Sequence, residues 1–472
     1  MAGWHGRFFV RDPDGNFRFS PVGTVQLDLH STYGSGVDGV APAAGGAGLP
    51  ARFFARRARF GFEGDLLDRW SYLVTFDLAN GGLTNVTGFE QAYASPPGSD
   101  PTASSARYRA VQSPDAGTGL RDAWIDYALG SFLHFQFGQV RPPVSMESRT
   151  PILATPLLER SLASRTFIVP GGRETGLTLW GDIENDLVSY EFMVAGGDGL
   201  NRATVDGAVD VMGRVLVEPL QSIALLKRAR IGLSARHGER DARAVGYDVT
   251  PITTNQGYAL WNPTYVDSLG RRTHVIPSGA QNLIGGEVYL PVGPVDVAAE
   301  GYFARYGTRE ALNGYQLTNT ERLGALEGVG LTGWVTWWAY GDERIGAPVG
   351  RMRPNKLKLA KKPELGRGLE LTALFSAVLA RYEGASRGGE PDANTPGAST
   401  SPTTALDVFQ FAGAASYWHS RAMRLSLNYA LYQLAGGSAA DNLAVVPGNL
   451  APEPDTSARS MHELSARVQL AF

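Results

Sequence analysis

The chain has 472 residues and a formal net charge of -3, and charged residues make up 19% of it, below the roughly 25% of an average soluble domain. Without a basic excess the composition argues against a nucleic-acid-binding protein. The absence of cysteine excludes disulfides, thiolate metal sites and thiol nucleophiles. No stretch approaches the roughly 18 apolar residues of a membrane-spanning helix. No basic start leads into an apolar segment, so we expect a secretory signal to be absent or already removed.

Apolar and polar residues alternate along many segments, from the N-terminal part onwards. In residues 69–78, apolar side chains occupy every second position from Trp70, and polar ones such as Asp77 lie between them. The same alternation returns in residues 187–194 and 463–472. A period of two over such lengths predicts β-strands with one apolar face.

The lengths of these strands and of their connections indicate a membrane barrel. Many alternating runs reach the ~9–11 residues that a tilted strand needs to cross a bilayer, whereas soluble strands average ~5–6. Tight turns such as 130–131 and 293–294 alternate with long connections rich in Gly, Pro, Ser and Asn. Membrane barrels have this arrangement, with short periplasmic turns and longer extracellular loops. The long connections are 80–119, 141–172, 239–281 and 436–460.

We therefore predict an all-β fold, a single transmembrane antiparallel β-barrel domain over residues 1–472 with about 16 strands. Residues 1–16 form a short N-terminal periplasmic segment in this prediction. An even number of strands puts both termini in the periplasm, and parity then places the long connection 341–366 on the periplasmic side as well. The predicted strands lie near 19–30, 51–63, 69–79, 120–129, 132–140, 173–182, 187–196, 207–218, 228–238, 282–290, 294–306, 326–340, 367–382, 405–418, 421–434 and 461–472.

The third loop, residues 141–172, is predicted to fold into the barrel and narrow it. Its prolines disfavour a simple extension of the hairpin, because proline cannot donate a ladder hydrogen bond. They are Pro142, Pro143, Pro151, Pro156 and Pro170.

Several segments, in chain order, resemble the phosphate-selective porin O and P family. They include Gly23-Thr-Val-Gln-Leu-Asp28, the arginine-rich Arg56-Arg-Ala-Arg-Phe-Gly-Phe-Glu-Gly64, Phe137-Gly-Gln-Val-Arg-Pro-Pro-Val-Ser-Met-Glu147, Gly171-Gly-Arg-Glu-Thr-Gly176 and Gly366-Arg-Gly-Leu-Glu-Leu371. The Gly-Gln-x-x-Pro-Pro stretch is the most specific of them. The resemblance implies a homotrimeric 16-stranded barrel in the bacterial outer membrane, an inward third loop and a path for small anions such as phosphate. The final Phe472 resembles the assembly signal of outer-membrane barrels.

Arginines on the polar faces of two strands, and in the third loop, are the candidate pore-lining residues. An anion pore needs fixed positive charge facing its water, and the planar guanidinium matches phosphate oxygens bidentately. Strict alternation predicts Arg57 and Arg59 on the inner face of the second strand and Arg228, Arg230 and Arg236 on that of the strand 228–238, and it places Arg56 on the outer face. The third loop carries Arg141, Arg149, Arg160 and Arg165, of which Arg160 and Arg165 are the candidates to reach into the pore.

Two interpretations of these arginines stay open. They set an anion preference, or they pair structurally with acidic residues across the barrel. The acidic residues with inward parity are Asp77, Asp122, Asp126, Glu191, Asp210 and Glu218. The phosphate site of the family also uses lysines. This chain has only five lysines, and four of them lie within residues 356–362, in the connection predicted to be periplasmic.

The sequence carries no motif for catalysis, a metal or a cofactor. It has no H-E-x-x-H, no Walker A loop and no G-x-S-x-G, and its seven histidines lack metal-ligand spacing. The predicted function is a water-filled channel for passive diffusion of small solutes, with a preference for anions such as phosphate, and not an enzyme. Its predicted partners are small anions and outer-membrane lipid or lipopolysaccharide. The alternatives are a loop-plugged structural or interaction barrel and a barrel-embedded hydrolase built on residues such as His134 and Ser145.

Overall fold

The computed structural model of the chain describes most of the strands and one long loop. No helix in the described part of the chain is long and apolar enough to cross a membrane. The described residues are 2–4, 8–33, 48–79, 89–93, 106–110, 119–184, 186–204, 206–241, 245, 247–256, 259–261, 264–266, 272–312, 323–341, 367–383, 404–420, 422–434 and 460–472.

Sixteen strands form the wall, and each has the alternating sequence that predicted it. In chain order they are β1 Phe17–Tyr33, β2 Gly48–Leu66, β3 Trp70–Asp77, β4 Gly119–Gly130, β5 Leu133–Val140, β6 Glu174–Ile183, β7 Val188–Ala195, β8 Asp210–Val217, β9 Arg230–Gly238, β10 Arg272–Val292, β11 Val295–Leu312, β12 Leu323–Gly341, β13 Gly368–Glu383, β14 Thr404–Trp418, β15 Met423–Leu434 and β16 Ser460–Ala471.

The sheet closes on itself, which confirms the predicted 16-stranded antiparallel barrel. Each strand pairs antiparallel with the next, and β16 returns to β1 in a register that runs from His462 opposite Tyr33 to Ala471 opposite Thr24. At the seam, the Gly23 N–H donates to the Phe472 carbonyl at 2.8 Å. Closure gives each of the sixteen wall strands a neighbour on both sides, as spanning a bilayer requires.

The two faces of the wall have the polarity of a membrane barrel. In β9, Leu233 is 71% exposed and Ile231 is also exposed, whereas Arg230, Ser234 and Arg236 are buried. The exposed face is therefore apolar and the buried face polar, the reverse of a soluble sheet. Hereafter the buried side of the strands is called the polar face.

A β-bulge interrupts the register of the first two strands. Gln26 pairs with Arg57 but Leu27 pairs with Ala55, so Arg56 has no residue opposite it. Such an extra residue breaks strict alternation and re-aims the side chains beside it.

The remaining elements are short. Helices α1 Met146–Arg149 and α2 Leu162–Phe167 and a 3-10 turn at Pro170–Gly172 lie between β5 and β6. At the N-terminus, Ala2–Trp4 pairs with Phe8–Arg11, which pairs with β1. The predicted periplasmic connection 341–366 lies outside the described residues apart from Gly341. Five further short strands are Phe89–Tyr93, Ala106–Ala110, Ile252–Thr253, Ala259–Trp261 and Thr264–Val266.

Candidate functional site

The candidate site consists of the polar face and residues 141–173, the segment between β5 and β6. Both helices of the segment begin at serine caps: Ser145 Oγ accepts from the Ser148 N–H at 3.0 Å and Ser161 Oγ from the Ser164 N–H at 3.3 Å. Such caps satisfy N–H groups that the first helical turn leaves free. Nearly all of the segment is buried.

Helix α2 packs on the polar face of β12 to β14. The Leu162 N–H donates to Gln410 Oε1 at 2.8 Å and the Ala163 N–H to Ser376 Oγ at 3.0 Å. Gly330 of β12 makes room for the helix, because a Cβ there would lie 2.7 Å from the Phe167 ring. Hydrogen bonds and close packing thus fix α2 against this part of the wall.

The N-terminal end of the segment is bound to β11. Glu300 accepts from Ser145 Oγ at 3.0 Å and from the Met146 N–H at 2.9 Å. The Tyr302 hydroxyl donates to Ser145 Oγ at 2.7 Å. A single carboxylate therefore satisfies a backbone and a side-chain donor at the start of α1.

Glu159 connects the middle of the segment to three arginines of the wall. It accepts from Arg57 at 2.7 and 2.9 Å, from Arg56 at 3.0 Å and from Arg467 at 2.7 Å. Burial alone would raise the pKa of Glu159, but Arg56, Arg57 and Arg467 outweigh it and hold that pKa well below its ordinary value. The carboxylate is thus ionised and bound to β2 and β16.

Arginines also donate hydrogen bonds to the carbonyl groups of the irregular backbone around Pro156. Arg424 donates to the Thr155 carbonyl at 2.7 Å and to the Pro156 carbonyl at 3.0 Å, and Arg467 donates to the Leu158 carbonyl at 2.5 Å. A buried segment without regular structure needs such partners for its carbonyls.

The predicted strand arginines Arg57, Arg59 and Arg236 lie on the polar face in ion pairs. Arg57 binds Glu159, Arg59 Nε lies 2.8 Å from Asp77, and Arg236 Nε lies 2.6 Å from Asp210. The acidic residues with inward parity thus include the partners of Arg59 and Arg236, whereas Glu159, the partner of Arg57, lies in the third loop. The pair with Asp210 favours the structural interpretation for Arg236.

The predicted loop arginines bind backbone oxygens. Arg160 Nε donates to the Glu147 carbonyl at 3.1 Å, and Arg165 donates to the Arg160 carbonyl at 3.0 Å and the Thr254 carbonyl at 2.5 Å. Both therefore hold the fold of the segment and of the chain next to it.

Arg228 and Arg230 have different environments from each other. Arg230 is buried on the polar face, with its guanidinium 4.7 Å from the Tyr289 ring centroid. The expectation that Arg228 also lies in this strand is wrong, because β9 begins at Arg230 and Arg228 is exposed in the connection 218–229. The last pair between β8 and β9 is Val217 with Ile231 and the last between β9 and β10 is Tyr289 with Arg230, so the residues before Arg230 pair with neither neighbouring strand.

Arg56 also departs from its expected place. Strict alternation puts it on the outer face, but the bulge re-aims it and its side chain is buried against Glu159. The available signal was the pair Arg56-Arg57, which breaks the apolar alternation kept by Ala58, Phe60 and Phe62.

Sequence reasoning did not single out two arginines that form ion pairs on the polar face. Arg214 is fully buried between Glu191 and Glu287, with 2.6 Å from its Nη2 to Glu287. Arg173 binds Asp122 through two hydrogen bonds of 2.7 and 3.2 Å. Inward parity on β8 was the available signal for Arg214.

Arg141 of the third loop has cationic surroundings. Its side chain donates to the Arg149 carbonyl at 3.2 Å, and no described carboxylate lies within ion-pair distance of it. Burial, Arg173 and Arg160 hold the pKa of Arg141 well below its ordinary value, and Asp122 only partly offsets them.

The model of one protein family matches residues 28–340, about two thirds of the chain, and its description is phosphate-selective porin O and P. The chain belongs to the phosphate-selective porin O and P family. This porin is thus a channel protein of the bacterial outer membrane, as the sequence predicted, and its family and fold point to a channel rather than an enzyme.

Solved structures show the same fold at low sequence identity. An anion-selective porin from Comamonas acidovorans is 11% identical to this porin, covering 97% of its chain and 100% of the other, with a TM-score of 0.50. A loop-deletion mutant of OmpT, an outer membrane protein of Vibrio cholerae, is 9% identical with the same coverage and a TM-score of 0.50. No curated protein sequence matches this porin.

The residues considered for a hydrolase have separate partners in this porin. His134 Nδ1 lies 2.8 Å from Asp126 and its ring stacks on Trp180, with centroids 3.8 Å apart. Ser145 instead bonds to Glu300 and Tyr302. Among the described residues no cluster of three possible metal ligands occurs.

Proposed function

We propose that this porin conducts small anions by passive diffusion, and that Arg141 is the centre of its anion path. The observation that carries the proposal is the surroundings of Arg141, a guanidinium without a described carboxylate partner and in the field of three other arginines. Those three are Arg59, Arg160 and Arg173.

Two side chains of the polar face, one on β2 and one on β4, are more exposed than the buried arginine of β8. The side chain of Asp122 is 17% exposed and that of Arg59 is 12% exposed, whereas Arg214 of β8 is 0% exposed. Water therefore reaches the first two residues and not the third. We infer that the aqueous path runs between segment 141–173 and this side of the barrel, where the segment is the constriction.

Charge along this path favours anions. Arg59, Arg141 and Arg173 face Asp77 and Asp122, three cations against two carboxylates. Fixed cations at a constriction lower the barrier for anions and raise it for cations. Guanidinium groups also suit phosphate oxygens, so we include inorganic phosphate among the substrates.

Reversal potentials in planar bilayers test the proposal. Across a tenfold KCl gradient an ideally selective channel reaches about 59 mV, and we expect wild type on the anion side of zero. Arg141→Gln should shift the potential towards cations, and raising the salt should reduce the difference, since screening acts over ~10 Å at 0.1 M. Phosphate should lower the chloride current of wild type more than that of Arg141→Gln.

Two variants serve as comparisons. Arg69→Gln removes an exposed arginine from the turn after β2 and should leave the potential unchanged. The double variant Arg228→Ser, Arg230→Ser tests the path expected from strand alternation. A shift in the double variant together with none in Arg141→Gln would contradict the path proposed here.

A loop-plugged barrel is the second candidate, and the apolar packing of the segment favours it. Met146, Leu162 and Phe167 join one buried cluster with Tyr302 and Val378 of the wall. Such packing fills the lumen along β11 to β14. Protein that inserts in bilayers without conductance steps would support the plugged barrel over the channel.

Family resemblance alone leads us to propose a homotrimer. Native mass spectrometry of the detergent-extracted protein tests this, and a single-chain mass under mild extraction would contradict it.

A further inference from the structure

The apolar outer surface of the barrel contains a groove of about 830 Å³ across β8 to β13. Its floor lies at Gly286, Gly301 and Gly333, outward positions at which no side chain fills the space. A cavity of this size lies within the range of sites that bind small molecules. Its rim is formed by Val215, Ile231, Leu233, Val288, Leu331 and Phe375.

The groove begins where the connection 218–229 leaves the wall. Val217, the last residue of β8, and Ile231 of β9 both line it. The connection exposes two further apolar side chains, Ile223 and Leu225. The lipid-facing groove therefore begins next to a turn that lies on the same side of the barrel as the chain termini.

Two cations stand beside these apolar residues. Lys227 and Arg228 are exposed, and their side chains make no hydrogen bond or ion pair with any part of the chain that the structure describes. Glu218, the one carboxylate of residues 218–229, is buried. The connection thus presents uncompensated positive charge next to apolar surface.

We propose that this surface binds an anionic phospholipid of the periplasmic leaflet. One acyl chain lies in the glycine-floored groove, and the phosphate contacts Lys227 and Arg228. The short turns on this side of a membrane barrel face the periplasm, so the cations lie at the level of that leaflet's headgroups. The site is independent of the proposed anion path, because it lies on the opposite face of the wall.

The headgroup contact is tested with two lipids of identical acyl chains. Detergent-extracted protein is titrated with phosphatidylglycerol or phosphatidylcholine, and bound lipid is counted by native mass spectrometry. Each basic side chain near an anionic surface contributes about 1 kcal/mol, so Lys227→Gln with Arg228→Gln should weaken phosphatidylglycerol binding roughly thirtyfold. Phosphatidylcholine binding should weaken less, because its choline group offsets the charge of the phosphate. Arg69→Gln, also in a periplasmic-side turn, should bind both lipids as wild type does.

The acyl-chain contact is tested by filling the groove. Gly286→Leu fits the fold, because the nearest atom to its new Cβ is Leu233 Cδ2 at 3.7 Å. It should weaken the binding of both lipids at least tenfold. Gly413→Leu is the matched control, an outward glycine of β14 away from the groove where the Cβ meets only the Thr372 carbonyl at 3.7 Å.

Three outcomes would overturn the proposal. Wild type that binds the two lipids equally has no headgroup site. Gly286→Leu protein that binds lipid like Gly413→Leu has no groove site. An oligomer that dissociates on Gly286→Leu but not on Gly413→Leu would make this surface a subunit interface instead.

Discussion

Replacing Glu159 by glutamine tests how segment 141–173 is held against the polar face. The carboxylate receives four hydrogen bonds from three arginines, and all four side chains are at most 6% exposed. Arg467 keeps a second carboxylate, Asp28, at 2.7 Å, whereas Arg56 and Arg57 keep none among the described residues. Glu159→Gln therefore leaves two buried guanidinium groups without their counter-charge.

Removing one partner of a buried ion pair costs about 3–5 kcal/mol, because the remaining charge stays desolvated. We expect the unfolding free energy of Glu159→Gln to fall by that amount. Urea unfolding in detergent micelles, followed by tryptophan fluorescence, measures it. Glu327→Gln is the control: its ion pair with Arg305 is 3.4 Å long and about half exposed, and should contribute under about 1 kcal/mol.

The pH dependence of this difference follows from the lowered pKa of Glu159. A carboxylate with a lowered folded pKa stabilises the protein above its unfolded pKa of about 4.3, and that contribution is lost as the pH falls through the folded pKa. The unfolding free energy of wild type should thus exceed that of Glu159→Gln by a constant amount from pH 8 to 5. Equal losses in Glu159→Gln and Glu327→Gln, or a difference that vanishes between pH 7 and 5, would refute the reasoning.

Three further variants test other parts of the structure. Gly330→Leu should displace α2, because its Cβ would meet the Phe167 ring at 2.7 Å, and should change the single-channel conductance. In Gly23→Val the new side chain would overlap the Phe472 ring. Because overpacking should open the β1–β16 seam, this variant should show less of the heat-modifiable folded band on gels. Burial raises the pKa of Glu147 despite hydrogen bonds from Ser161. The unfolding free energy of wild type should therefore fall as the pH rises through that pKa, and Glu147→Gln should lack this loss.

The sequence alone predicted the wall of the barrel. Alternation marks each strand directly, because one face meets lipid and the other meets polar groups, and a membrane allows only helices or a closed barrel. The same rule placed Arg57, Arg59 and Arg236 on the polar face, where the structure has them. These properties are local and can be read from neighbouring residues.

The partners of those side chains were decided by tertiary structure. Glu159 meets Arg57 across 102 residues and Arg467 across 308, contacts that no local pattern encodes. The bulge opposite Gln26 brings Arg56 inward although its parity points outward.

The ends of strands also depended on pairing. Residues 228 and 229 continue the alternation of β9, but β8 offers no residue beyond Val217 to pair with them. Arg228 therefore lies in the connection and not in the lumen. Alternation determines which face a strand residue takes, whereas the register with its neighbours determines where the strand begins and which charges meet.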